Sequence, residues 1–457
     1  MGFSSQTRNL LQMSVGLMLV FLAFFSQSFI EETVLSDRNY LTNGSVPQDA
    51  GYMSQTIIYG TFLFSNLIAP PLVAILGCRW SLLLGSSTMT ILMASFLALN
   101  TTLLYMASAL EGFGSAILWT AVGHYLALNS NEYTVGRNSS LLWTFHTSGL
   151  IFGGVFLLIV FGIHQVDTIG VSLTNLLYGV FAAISLVGNI IFALLPTPKE
   201  ERDYYIRAGS YKNELVSTFK VFFTRDMLLF SFTSAFAGLE MPFWSGVYST
   251  ALSFTSAFKM NTNILVALNS IAVGIGQITA SIAFGVYGDR TIRKGRWPIM
   301  LFSSCLGCFA FLLSYLNLPA DSTRNPDTNE GTIVGPSITI ALFCGCVFGV
   351  VDAATNTQIY SLASVLFEDC TPQAFAISKF FHALLSTICM FYGGKFNIGS
   401  QLLILSIGSI ASVITFYKVE KDFMKRRNIQ KLTESEQELE RRSIVADKVQ
   451  IYGENIS

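Results

Sequence analysis

Of the Asp, Glu, Lys and Arg residues, four stand inside stretches that are otherwise apolar: Glu111, Glu240, Asp352 and Lys379. A charged group facing acyl chains is expensive, so such residues turn towards a helix-bundle interior, a water-filled space or a partner. Carboxyl groups in that setting can pass a proton or a cation along an interior. A carboxylate beside an ammonium can instead neutralise it and tie two helices together. Both readings stay open for Glu111 and Glu240. Asp352 and Lys379 fall in the same half of the membrane, and their spacing favours a structural pair. Asn356 follows Asp352 by four residues and shares its helical face, within the polar run Asp352-Ala-Ala-Thr355-Asn356-Thr357-Gln358. That face lines water or bonds a neighbouring helix.

The elements that carry these residues follow from composition. The 457-residue chain is 52% hydrophobic, 13% aromatic and only 12% charged, with a mean hydropathy of +0.54. A soluble domain is roughly a quarter charged, so the solvent here is lipid. Blocks of about 20 apolar residues, the length that crosses a bilayer, cover 10–30, 52–77, 80–99, 103–128, 139–162 and 171–195. Six more cover 227–252, 263–287, 298–318, 337–361, 373–393 and 398–417. The blocks are too long and too unalternating for barrel strands. The expected fold is an all-α membrane protein of twelve transmembrane helices. Residues 1–195 form an N-terminal six-helix bundle, 196–226 a charged cytoplasmic linker, 227–417 a C-terminal six-helix bundle and 418–457 a charged cytoplasmic tail. In the tail, 433–442 reads as a solvated helix with Glu434, Glu438 and Arg442 on one face.

Most of the 27 Lys and Arg residues lie on the side of the N-terminus: Arg8, Arg79, Arg137, the linker, the loop 290–296 and the tail. The positive-inside rule therefore places both termini in the cytoplasm. Block 10–30 is long and lacks a small-residue cleavage site, so it reads as a retained span, followed by an outer loop, 31–51, that begins with Glu31-Glu32. Asn43-Gly44-Ser45 in that loop is an N-glycosylation acceptor with room around it. Nothing in the composition separates a plasma membrane from an endolysosomal one.

Several classes are excluded. A net charge of −1 and a pI near 6.4 give no reason to expect nucleic acid. None of the 7 cysteines lies in an outer loop. Cys305-x-x-Cys308 and Cys344-x-Cys346 have no His or acid at ligand spacing, so they read as small core residues rather than a zinc or disulfide site. No phosphate-binding loop, nucleophile–base pair or metal-ligand set is present, so neither a cofactor nor an enzymatic activity is expected. His124 and His146 read as structural. Gly149-x-x-x-Gly153 and Gly345-x-x-x-Gly349 mark close helix contacts. Phe145-His146 recurs as Phe381-His382, and Arg79-Trp80 as Arg296-Trp297, each pair ahead of or within matching blocks. Such a six-plus-six repeat is the mark of a duplicated transporter fold.

The segment from Gly285 through Asp289, Arg290, Arg293 and Lys294 resembles the Gly-x-x-x-Asp-Arg-x-Gly-Arg-Arg loop of the major facilitator superfamily, with Ile292 in place of the second glycine. That resemblance implies a cytoplasmic latch, and a fold in which helices one, four, seven and ten line a central cavity. Glu111, Glu240 and Asp352 would stand on the last three. The matching place in the first half, Gly77-Cys-Arg79-Trp80, lacks the aspartate. A narrower likeness comes from Ile117-Leu-Trp-Thr-Ala-Val-Gly123, Gly136-Arg137-Asn138-Ser139, Gly238-Leu-Glu240, Ser245-Gly246-Val247-Tyr248, Asn356-Thr357-Gln358 and Ala374-Phe-Ala376. These resemble the Unc-93-like family, in the branch without a long N-terminal extension. The resemblance implies a non-enzymatic regulator or auxiliary partner of ion channels or membrane receptors. The residues by themselves imply a proton-coupled secondary transporter of a small organic solute, and the missing first-half latch tips the balance towards the regulator.

Overall fold

The computed structural model describes residues 5–130, 135–164, 168–197, 211–326, 328, 334–367 and 371–454, and among them every regular element is helical. In the first half of the chain these are α1 (Ser5–Leu41), α2 (Ala50–Ser65), α3 (Ala69–Leu76), α4 (Cys78–Ser95), α5 (Thr101–Leu128), α6 (Val135–His164) and α7 (Val171–Ala193). A short helix, α8 (Tyr211–Phe222), leads into α9 (Arg225–Pro242), a π-turn (Phe243–Val247) and α10 (Tyr248–Phe254). The remainder is α11 (Thr262–Lys294), α12 (Trp297–Asn317), α13 (Ile338–Leu366), α14 (Thr371–Gly393) and α15 (Ile398–Glu454).

Nine helices among the described residues are long and apolar enough to cross a membrane; α2 and α3, bent by 74° at their junction, would form a tenth span. Pro70-Pro71 explains the bend, because proline at the first positions of α3 starts a helix but cannot continue the one before it. The other two expected spans are α5 and the α9–π–α10 stretch. Both are helical, yet neither is among the nine. They are the carriers of Glu111 and Glu240, and α9 also holds Arg225 and Asp226. The side chains turned outwards suit lipid: Ile159, Phe302, Leu403 and Ile410 are all exposed.

Three sequence expectations need correction. The first helix does not stop at residue 30 but runs to Leu41, so Glu31 and Glu32 are not loop residues. They are 1% and 6% exposed, kept in the helix by polar partners that an apolar-run criterion cannot see. The last helix does not stop at residue 417 either, since α15 continues unbroken to Glu454. Cys305 lies exposed on α12 rather than in the core, where a thiol meets lipid as readily as any small apolar group.

Packing within the first half joins α1 to α6 and α7, and α5 to α2 and α4. In the second half α11 packs on α13, α9 on α14 and α15, and α12 on α13 and α15. The halves meet chiefly along α6–α11 and α2–α14, with α1 touching the π-turn and α10. Close approach depends on glycines at these contacts. A Cβ on Gly153 would lie 2.1 Å from Ser26 Oγ, and one on Gly349 would lie 2.1 Å from the Val273 carbonyl oxygen. Both halves also enter their third long helix through a glycine at left-handed φ, Gly77 (φ 77) and Gly295 (φ 93), as the Arg-Trp repeat suggests.

Where α12 begins, Glu420 of α15 accepts the backbone N–H groups of Arg296 and Trp297, each at 2.7 Å. It also faces the Arg296 guanidinium at 3.5 Å, with both side chains almost fully buried. A carboxylate there satisfies free N–H donors and the helix dipole together.

Candidate functional site

Let the near end be the one at which α1 begins and the far end the other. At the far end, Glu31 accepts hydrogen bonds from the side-chain amides of Gln27, one turn earlier on α1, and Gln55 on α2. Glu32 accepts from the Tyr52 backbone N–H at 2.9 Å. Glu111, on α5, is fully buried; Ser115 one turn later donates to its Oε1 at 2.6 Å, while Oε2 has no partner among the described residues. Tyr59 lies within electrostatic reach of both Glu111 and Glu31, and its hydroxyl contacts Met241 Sδ of α9 at 3.8 Å.

Glu240 occupies the point where α9 loses regular pairing. Pro242 lies two residues on, and the π-turn Phe243–Val247 follows at once. A π-turn widens the backbone by one residue and re-aims the side chains beside it. Glu240 is fully buried, and neither carboxyl oxygen meets a hydrogen-bond partner among the described residues. Asp352 of α13 is its electrostatic neighbour.

Asp352 is better satisfied. Gln277 of α11 donates to its Oδ2 at 2.8 Å, and Asn356 donates to its Oδ1 at 3.1 Å. Asp352 and Asn356 thus share a face and a bond, as their spacing predicts. The direct Asp352–Lys379 ion pair expected from the sequence is absent among the described residues: Lys379 influences Asp352 only through space. Its ammonium lies instead over two rings, 5.8 Å from the centroid of Trp119 and 5.7 Å from that of Tyr360. The reason is reach. Asp352 is held towards α11, whereas the Lys379 side chain on α14 points to the aromatic face between the halves.

That face is continuous. Trp119 stacks on Trp143 at 5.8 Å, and Trp143 meets Tyr360 at 5.5 Å. His146 packs edge-on against Phe21, Phe25, Trp119 and Trp143, and neither of its ring nitrogens has a hydrogen-bond partner among the described residues. A space of about 10 Å³ remains beside Lys379, lined also by Ser234, Asn356, Tyr360, Ser378 and His382. A larger groove of about 460 Å³, lined by none of these charged residues, lies on an apolar face formed by α11, α12 and α13.

The helix α11 carries the latch segment of Gly285, Asp289, Arg290, Arg293 and Lys294 to its end, but the side chains of these residues lie outside the described ones. Asn43 is exposed in the turn between α1 and α2, at φ 51. Asn100, of a second acceptor triplet, caps α5 by accepting from the Thr102 and Leu103 N–H groups. Sequence reasoning missed Glu31, Glu32, Trp143 and Tyr360 as members of the interior. The i, i+4 spacing of Gln27 and Glu31 was a legible signal for the first of these.

A family model described as the ion channel regulatory protein UNC-93 matches residues 42–417. The chain belongs to the UNC-93 family. Among curated UNC-93 relatives, the UNC93-like protein MFSD11 of Xenopus tropicalis is 32% identical over 451 residues, covering 93% of this chain and 98% of that protein. Protein unc-93 homolog A of Bos taurus is 24% identical over 453 residues, covering 90% and 92%. Among solved structures, the nucleoside transporter NupG superposes with a TM-score of 0.60 at 17% identity, covering 90% of this chain and 98% of NupG. A single-residue variant of the Escherichia coli fucose:proton symporter FucP gives 0.58 at 15% identity, covering 89% and 98%. At such low identity these two establish the fold alone. This UNC-93 chain is an integral, multi-pass membrane protein of the major facilitator superfamily fold.

Proposed function

We propose that this UNC-93 protein is a proton-coupled secondary transporter of a small organic solute. The observation that carries the reading is Glu240: a fully buried carboxyl without a hydrogen-bond partner among the described residues, set beside a break in its helix. Leaving a buried carboxyl oxygen unsatisfied costs about 1–3 kcal/mol, and ionisable residues kept within a membrane interior mark proton or ion paths more often than scaffolding. A carboxyl beside a deformable turn is suited to take up and release a proton as the surroundings open and close. Glu111, half-satisfied on α5, supports the same path. The relatedness of the fold to that of a fucose:proton symporter is in keeping with this chemistry.

The test is reconstitution into vesicles that contain a pH-reporting dye. Under an imposed pH gradient, a panel of small organic acids, sugars and nucleosides is added in turn. At least one class is expected to collapse the gradient faster. Glu240→Gln should abolish that coupling while leaving solute exchange between equal pools intact. Solute-driven proton entry that persists in Glu240→Gln and Glu111→Gln proteins would remove the mechanism.

A second reading is favoured by the family model, whose description is that of an ion channel regulator. On this reading the chain is a non-enzymatic auxiliary partner of a channel or receptor, and its buried acids serve only to fix the fold. It predicts a stoichiometric partner in complexes taken from native membranes, and channel current or receptor trafficking that changes when the chain is deleted. In either case the orientation follows from charge, with both termini in the cytoplasm and the α1–α2 turn outside.

A further inference from the structure

Resting on the carrier reading, we propose that Lys379 and the rings of Trp119, Trp143 and Tyr360 form a binding site for an organic anion: a carboxylate or sulfonate joined to a flat apolar body. The argument starts from an unbalanced charge. Lys379 lies on a helix long and apolar enough to span the membrane, and no carboxylate approaches it within ion-pair distance among the described residues. Its contacts with two ring faces, at 5.7 and 5.8 Å, supply about 0.5–2 kcal/mol each. An ammonium kept inside a membrane span without a counter-ion is costly. The rings orient the ammonium but carry no negative charge, so its counter-ion place is open, and an anion completes the site.

The surroundings specify what kind of anion. Asn356, Ser234, Ser378 and His382 border the same small space, so polar groups are gathered on the Lys379 side. Tyr360 and Phe375 border that space too, and Tyr360 leads on to the stacked indoles of Trp143 and Trp119, rings that favour a planar apolar body. The site also spans the two halves of the chain: Trp119 and Trp143 come from α5 and α6, Tyr360 and Lys379 from α13 and α14. With only about 10 Å³ free, a ligand enters only when Tyr360, which lines that space and packs on Trp143, gives way. Occupancy is thereby tied to the making and breaking of the near-end contact.

Asp352 is the competitor. It acts on Lys379 through space, and Glu240 stands next to it; His146 and His382 also face the ammonium. A proton taken up by the Glu240–Asp352 pair removes negative charge from the side opposite the ligand. Anion and proton then favour one another's binding, which by linkage is the requirement for symport.

The deciding experiment measures binding rather than transport. The purified full chain in detergent is titrated calorimetrically with 2-naphthoate, 2-naphthalenesulfonate, the neutral 2-naphthamide and the cationic 2-naphthylmethylamine. A charge-assisted contact is worth about 1.5–3 kcal/mol, so at least one of the two anions should bind saturably and about tenfold or more tighter than the amide. Lys379→Gln should abolish the preference and Lys379→Arg should keep it. Amide binding as tight as that of the acids overturns the proposal, as does saturable binding by neither anion. The wild-type ranking decides even if a variant does not fold. Anion binding without pH-driven uptake keeps the site and removes the carrier reading. Uptake of a neutral solute without anion binding does the reverse.

Discussion

At the scale of single residues, the interior is decided by which acids have donors. Glu31 holds the amides of Gln27 and Gln55. Glu31→Ala leaves both without an acceptor, and each buried orphan costs about 1–3 kcal/mol. Thermal unfolding in detergent should show a clear loss of stability, much of it recovered by Glu31→Gln. Glu420 is a sharper case, because its removal strands a buried Arg296 and two helix-start N–H groups. Glu420→Ala should cost about 3–5 kcal/mol, whereas pairing Glu420→Leu with Arg296→Met should recover most of it. A melting point unchanged in Glu420→Ala would mean that the pair is solvated in the detergent-bound protein. Of these groups, the sequence revealed Glu111, Glu240 and Asp352, because an acid deep in an apolar block has only one environment available. It concealed Glu31 and Glu420, since an acid at the edge of a block looks like the end of a helix. Gln27, four residues before Glu31, was the one near signal; the other partners lie 24 and more than 120 residues away.

At the scale of elements, contact distance is set by glycine, and only part of that is legible in spacing. The Gly149–Gly153 and Gly345–Gly349 pairs announce themselves by their separation of four and do lie against neighbouring helices. Gly238 belongs to no such pair, yet a Cβ there would lie 2.1 Å from the His382 carbonyl oxygen, because the partner helix α14 determines the approach. Gly238→Ala forces α9 and α14 apart. The expected cost is about 1–3 kcal/mol, with a displaced Lys379 as a side effect. Gly123, on α5, has nothing within 4 Å of such a Cβ, so Gly123→Ala should leave the melting point unchanged or slightly raised. Equal losses for the two substitutions would show that helix propensity, not helix approach, governs these positions. The π-turn after Pro242 was not legible at all. Proline predicts that regular pairing fails, but whether the chain kinks or widens depends on the packing of Trp244 and Tyr248 around it.

At the scale of the whole molecule, the two halves of the chain touch at both ends of the interior. Near-end contact is made by Trp143 against Tyr360. At the far end Thr33 Oγ1 bonds Ser253 Oγ at 2.9 Å, and Tyr52 reaches the Thr323 carbonyl oxygen at 3.2 Å. A carrier of this fold must break one set while keeping the other, since opening both would leave a leak. The far-end set is the easier to lock. Two hydroxyls in hydrogen-bond contact place their β-carbons near the separation that a disulfide spans. With the native cysteines replaced, Thr33→Cys combined with Ser253→Cys should form a disulfide on mild oxidation. Cleavage of the 196–226 segment followed by a gel then distinguishes joined halves from free ones. Oxidation should stop pH-driven uptake in the double variant, reduction should restore it, and neither single variant should respond. If the joined protein transports at its full rate, the far-end contact is part of the static frame. The moving parts would then have to be sought at the near end, around Trp143, Tyr360 and the buried Arg296–Glu420 tie.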